Sequence, residues 1–307
     1  MVQHSPEFQS YLEPAALANI RGLDLRARLV VQGFMSGMHH SPLKGVAVEF
    51  AEYRKYCQGD DLRTLDWKVY GRTDKHYIKQ FEQETNLRVL LAVDCSESMN
   101  YQHADSPLSK REYATTAAAA IAYLALKQND AVSLGVFDTK LRKLTRASSH
   151  PSKWRLIVSE LDAASGDGKT SVRAVMDELA ERLKEHHLII FLSDLFSDPE
   201  DILRGVKHLR HRGHEPIVLQ VLDEAELTFP FDQPIRFNGM EGVGPVLTEP
   251  RLMRERYLQE LELFTRTLRQ GCHAQEADFE VLSTRERMSF ALSTYLAMRA
   301  KRARHRR

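Results

Sequence analysis

The chain has 307 residues, enough for one large α/β domain with additions or for two modest domains, and 43% of them are hydrophobic, which can fill a sizeable core. Lys and Arg number 43 against 42 Asp and Glu, a formal charge of +1, so no global field draws the protein to nucleic acid or anionic lipid. Cys57, Cys95 and Cys272 form no C-x-x-C pair and are odd in number, which argues against a disulfide scaffold and for a reducing compartment.

The start, Met1 to Glu7, lacks the basic-then-apolar order of a signal peptide. The longest weakly polar run, Tyr113 to Leu126, falls short of the roughly 20 apolar residues that span a bilayer, so the expected location is the cytoplasm. Between Ser10 and Ser36, Leu12, Leu17, Ile20, Leu23, Leu25, Leu29, Val30 and Phe34 recur at helical spacing, with Gly22 as a break between two pieces. His39-His40 falls in a loop with Pro42 and Gly45 and reads as exposed and polar rather than as a ligand pair. From Val46 to Thr85 dense mixed charge surrounds aromatics. There Glu52, Arg54, Asp60, Asp61, Arg63, Asp66, Trp67 and Arg72 form either a network of paired ions or a recognition surface of Arg and aromatic residues. Acids match bases in this block and would repel phosphate.

Leu87 to Val93 is a Val/Leu-rich run with Arg88 as its only polar member, which suits a central strand buried on both faces. It stops at Asp94, and Asp94-x-Ser96-x-Ser98 then sets three oxygen-bearing side chains at the carboxyl end of the strand, where ligands bind in open α/β sheets. Hard divalent cations take such oxygen ligands. Thr170, in the glycine-bearing loop that opens the helix from Ser171 to His186, and Asp194, ending the apolar run His187 to Ser193, supply the remaining donors. Each acid taken singly also suits a helix cap.

Between and after these segments, the pattern predicts helices over Lys110–Gln128, Ser152–Leu161 and Pro199–Arg212, and strands over Asp130–Phe137, Leu141–Arg146 and Pro216–Leu222. This alternation is that of a doubly wound, mostly parallel α/β sheet. Leu227 to Leu247 reads as a β excursion, followed by a helix over Pro250–Arg269, an edge strand over Asp278–Leu282 and a last helix, Glu286–Ala300, running into a basic tail. Residues 1–85 thus form an N-terminal helical and charged β-rich extension, 86–225 the α/β domain, and 226–307 a C-terminal addition packed on it.

Gly168-Lys169-Thr170 is not read as a phosphate-binding loop, because a helix rather than a strand precedes it. His208, His211 and His214 are spaced by three, yet Gly213 ends their helix and Arg210 and Arg212 oppose a cation. Cys95 reads as core packing.

The order Asp94, Ser96, Ser98, Thr170, Asp194 resembles the metal-ion-dependent adhesion site of von Willebrand factor A domains. The resemblance implies that the serines and the threonine touch a Mg²⁺ (with Mn²⁺ or Ca²⁺ as alternatives), that both aspartates act largely through waters, and that a partner donates a carboxylate. The run Glu49 to Arg54, then Gly59-Asp60-Asp61-x-Arg63-x-x-Asp66-Trp67, Arg72-Thr73 and Lys79-Gln80-Phe81-Glu82 are similar to the bacterial family known as domain of unknown function fifty-eight. Lys110-x-x-Tyr113-Ala114 and Asp223-x-x-Glu226-Leu227 extend the likeness. That family implies a von Willebrand factor A-like domain working with a MoxR-type AAA+ ATPase, or with the client it remodels. The expected function is therefore a metal-dependent protein-interaction module without nucleic-acid binding or a transmembrane segment, peripheral membrane contact remaining open. The alternative is a metal-dependent hydrolase at the same site, for which Glu97 is the one candidate base.

Overall fold

The computed structural model describes residues 13–38, 53–55, 71, 77–79, 87–164, 166, 171–233, 235–237 and 246–305. Two N-terminal helices, α1 (Pro14–Ala18) and α2 (Leu23–Met38), precede the short strands β1 (Tyr53–Lys55) and β2 (Tyr77–Lys79). The central series is β3 (Arg88–Asp94), α3 (Lys110–Lys127), β4 (Ala131–Phe137), β5 (Leu141–Leu144), α4 (Lys153–Asp162), α5 (Val172–Arg182), β6 (Leu188–Ser193), α6 (Pro199–His211) and β7 (Glu215–Leu222). A short α7 (Glu224–Thr228), the pair β8 (Ile235–Phe237) and β9 (Val246–Thr248), α8 (Pro250–Ala274), β10 (Asp278–Ser283) and α9 (Ser289–His305) complete the described chain.

Six strands form one sheet in the order β10-β7-β6-β3-β4-β5, parallel except for the antiparallel edge strand β5. Every residue of β3 after Arg88 is buried, as a central strand covered on both faces requires. Alternate residues serve opposite layers: Val89, Leu91 and Val93 join a core with α2, α3, α4 and α9, while Leu90 and Ala92 join a core with α5, α6 and α8. From β3 the chain runs outward through β4 and β5, then returns to the other side of β3 as β6. The order therefore reverses between β3 and β6, whose residues Val93 and Leu192 lie in register just below the carboxyl ends.

Helix α3 is buried along most of its length because its alanines press on the sheet while α2 and α9 cover its outer side. Its start is fixed by a capping box in which the Ser109 hydroxyl accepts from the Glu112 amide at 3.2 Å and the Ser109 amide donates back to Glu112 Oε2 at 3.0 Å. Gly22 has φ +90° and sits between α1 and α2, at the expected break.

Three expectations need correction. Leu227 and Thr228 are not strand: Asp223 accepts from the Ala225 amide and donates its own amide to Glu226 Oε2, and this capping box winds Glu224–Thr228 into a helix. Only β8 and β9, paired antiparallel, remain of the β excursion among the described residues. Helix α5 ends at Arg182 rather than His186, because Leu183 is extended and carries the chain toward β6. Helix α8 passes Arg269 and reaches Ala274; Gly271 does not break it, since the missing Cβ is what lets the helix lie against Leu203.

Candidate functional site

Asp94 is the last residue of β3 and is fully buried. Its Oδ1 accepts from the Ser96 amide at 2.8 Å, which turns the chain back on itself, and its Oδ2 accepts from the Ser193 hydroxyl at 2.5 Å. A 3₁₀ turn over Glu97–Asn100 then brings Ser98 round, so that the Ser96 and Ser98 hydroxyl oxygens lie 3.1 Å apart, both buried. Adjacent ligands on an octahedral Mg²⁺ at 2.0–2.1 Å stand about 2.9 Å from one another, so the two hydroxyls fit a shared edge of that geometry.

Asp194 follows β6 directly across the reversal point and is also fully buried. Its main-chain oxygen accepts from Gln220 Nε2 at 3.1 Å, and its Oδ2 accepts from Lys110 Nζ at 2.9 Å. Leu195, next in the chain, is held at φ +59° with its amide donating to the Ser193 hydroxyl at 3.0 Å. Ser193 thus braces Asp94 with its proton and the Asp194 turn with its lone pair.

Thr170 lies outside the described residues. The described residues that flank it, Gly166 and Ser171, are nonetheless placed: a Cβ on Gly166 would overlap the Cys95 carbonyl oxygen, and the Ser171 amide donates to the Asp138 carbonyl at 3.3 Å. Gly166 thus packs against the end of β3, and Ser171 is bonded to the residue that follows β4. Cys95 itself is buried, donates to the Phe137 carbonyl, and burial pushes its thiol up to about 12, so it is a packing residue and not a thiolate ligand.

Burial first, and the nearby Asp194 charge second, push the Asp94 carboxyl up from 3.8 to about 7, against the pull of the Ser193 and Ser96 hydrogen bonds. A cation at the hydroxyl pair would favour its charged form. Lys110, the first residue of α3, is 1% exposed and reaches Asp194 Oδ2 and Glu226 Oε1, each at 2.9 Å. Burial opposes its charge, but Asp194 and Glu226 prevail and hold its pKa above the ordinary value. Among the described residues no group of three or more His, Cys, Asp or Glu is arranged to hold a metal.

Of the charged block, Glu52, Asp60, Asp61, Arg63, Asp66, Trp67 and Arg72 lie outside the described residues, as do His39 and His40. Arg54 stands in β1, opposite Ile78 of β2. His208 pairs with Asp177 at 2.8 Å while His214 is buried beside His187, so the histidines spaced by three do not converge. Sequence reasoning gave no role at the site to Lys110, Ser193, Gln220 or Glu226. The one local signal was a Lys at the first position of a helix, where the dipole disfavours a cation.

The family model described as protein of unknown function DUF58 matches residues 52–262, more than half of the chain. The chain belongs to the DUF58 family. The DUF58 match takes in the charged block from Glu52 onward, Asp94, Ser96, Ser98, Thr170 and Asp194, and stops within α8, before β10 and α9. Uncharacterized proteins of Mycobacterium tuberculosis and Mycobacterium bovis are 27% identical over 223 residues, 71% of this DUF58 chain and 68% of the relative. Among solved structures, the conserved hypothetical protein BatB of Bacteroides thetaiotaomicron shares 16% identity over 70% of this chain and 99% of its own, with a TM-score of 0.45. The VWA domain of SpRpn10 shares 9% over 68% and 95%, with a TM-score of 0.42. No helix among the described residues is long and apolar enough to cross a membrane.

Proposed function

We propose that this protein is a metal-dependent protein-interaction module. The observation that carries the reading is the pair of buried hydroxyls of Ser96 and Ser98, 3.1 Å apart beside the fully buried Asp94, at the point where the sheet reverses its strand order. Ser96, Ser98 and Thr170 would hold a Mg²⁺, or Mn²⁺ or Ca²⁺ in its place, with Asp94 and Asp194 in support. A bound cation supplies a coordination position that an acidic side chain of a partner can fill. Asp94 accepts from the Ser96 amide and so orients that turn, Ser193 fixes the other Asp94 oxygen, and Gly166 packs on the Cys95 carbonyl at the same end of the sheet. The family likeness makes a MoxR-type AAA+ ATPase, or the client it remodels, the first partner to try.

The test is calorimetric titration of Mg²⁺ and Mn²⁺ into chelator-stripped protein and its Asp94→Ala variant, with capture of the MoxR-type ATPase of the same genome in metal and in excess chelator. Metal binding and capture should both disappear in the variant, and capture should disappear in chelator. Capture that persists unchanged in excess chelator sinks the proposal and moves attention to the charged block from Glu52 to Arg72.

A further inference from the structure

Lys110 occupies a place that is unfavourable twice over. It opens α3, where the aligned peptide dipoles repel a cation, and at 1% exposure it has given up nearly all of its water. Its ammonium is held there by Asp194 Oδ2 and Glu226 Oε1, each 2.9 Å away, with the Phe196 and Tyr101 rings 4.8 and 5.7 Å from it. A salt bridge meant only for stability does not need one of its carboxylates to be Asp194, which follows β6 at the carboxyl end of the sheet and whose charge Asp94 feels. We propose that Lys110 is a tethered cation that competes with the divalent metal for Asp194, and that Glu226 is the seat which keeps the ammonium when the metal takes that carboxylate. The affinity of the site is then set by Lys110 and Glu226, neither of which touches the metal.

This rests on the metal-binding reading and adds a regulator to it. Like charges a few ångströms apart in a poorly solvated site repel strongly, so a divalent ion draws on Asp194 only as far as the ammonium can turn elsewhere. Glu226 is fixed for that purpose. Its Oε2 accepts from the Asp223 amide at 2.7 Å, and Asp223 accepts from the Ser106 hydroxyl at 2.9 Å, so Glu226 stays in place while Lys110 leans toward it.

Two substitutions move the affinity in opposite directions. Lys110→Met removes the competitor and should tighten Mn²⁺ binding by about tenfold or more, equivalent to about 1.4 kcal/mol. Glu226→Gln keeps an acceptor for the Asp223 amide but leaves the ammonium with Asp194 alone, and should weaken binding by a similar factor. The experiment is Mn²⁺ titration into chelator-stripped full chain, followed by calorimetry and by the paramagnetic signal of the free ion, for the wild type, both variants and Asp94→Ala. Opposite shifts, or binding that emerges only in Lys110→Met, support the proposal. If both variants bind more weakly, or both match the wild type while Asp94→Ala abolishes binding, the proposal falls and the metal reading stands. If neither the wild type nor Lys110→Met binds, both fall. Should Lys110→Met not fold, unchanged or tighter binding in Glu226→Gln is enough to overturn the idea.

Discussion

Replacing Asp94 by Asn should stabilise the metal-free protein while removing its metal site. A carboxyl raised from 3.8 to about 7 on folding binds more protons in the folded chain than in the unfolded chain between those values. Its contribution is fully present below the unfolded value and is lost as pH rises through about 7. At about 1.36 kcal/mol per pH unit, the distance from 3.8 to about 7 amounts to about 4 kcal/mol of lost stability at pH 8 in the absence of a cation. The amide escapes that loss and can keep the acceptor for the Ser96 amide, but it puts an NH₂ where the Ser193 hydroxyl donates, which costs about 1–2 kcal/mol. With the Ser96 hydroxyl contact also weakened, the net is a gain of about 1–2 kcal/mol, or about 2–3 °C in melting temperature for a chain of this size. Thermal unfolding in chelator reads it directly: the Asp94→Asn variant should melt higher than the wild type at pH 8, and the advantage should vanish near pH 4. Lower melting than the wild type at pH 8 would show that the hydrogen bonds of the carboxylate outweigh the burial of its charge, and would refute this account of the site.

Two further predictions follow from buried groups away from the site. Tyr295 of α9 donates its hydroxyl to Asp130 Oδ2 at 2.8 Å, and Tyr295→Phe should cost about 1.5–3 kcal/mol in urea unfolding, with the denaturant slope unchanged. Burial first, and the His187 and His186 charges after it, push the His214 imidazole down to about 4. Its neutral form is therefore the folded one, and stability is lost as pH falls from about 6.5 through about 4, by roughly 2–3 kcal/mol. Because Asp94 acts in the opposite sense over this range, the comparison belongs in the Asp94→Asn background, where adding His214→Asn should flatten the acid-side decline.

The sheet was legible because buried parallel strands leave continuous apolar runs in the sequence, and those from Leu87 and His187 end in an acid at their carboxyl ends. Asp94, Ser96 and Ser98 could be read together since one strand end and one turn carry all three. Lys110 and Glu226 could not. They lie 116 residues apart and meet through packing alone; the capping box gives Glu226 an ordinary local explanation, and a Lys at a helix start, though disfavoured by the dipole, does not name its partners. Leu227 and Thr228 look like strand in the sequence for a related reason: the aromatics from Phe229 to Phe231 dominate the pattern, while the Asp223–Glu226 box that decides the backbone is a matter of two side chains.

The cladding of α3 has a consequence for how the molecule is made. Its outer side is covered by α2 and by α9, and the contact between Glu13 and Arg287 spans 274 residues of chain. At 5–20 residues per second, ribosomal synthesis needs roughly 14–55 s to pass from Glu13, ahead of α1, to Arg287, just ahead of α9. During that interval the alanine-rich helix lies on its sheet with half its roof missing, and slow closure of so distant a contact exposes apolar surface to other nascent chains. The face of α3 that α9 covers is thus the last part of this core to close.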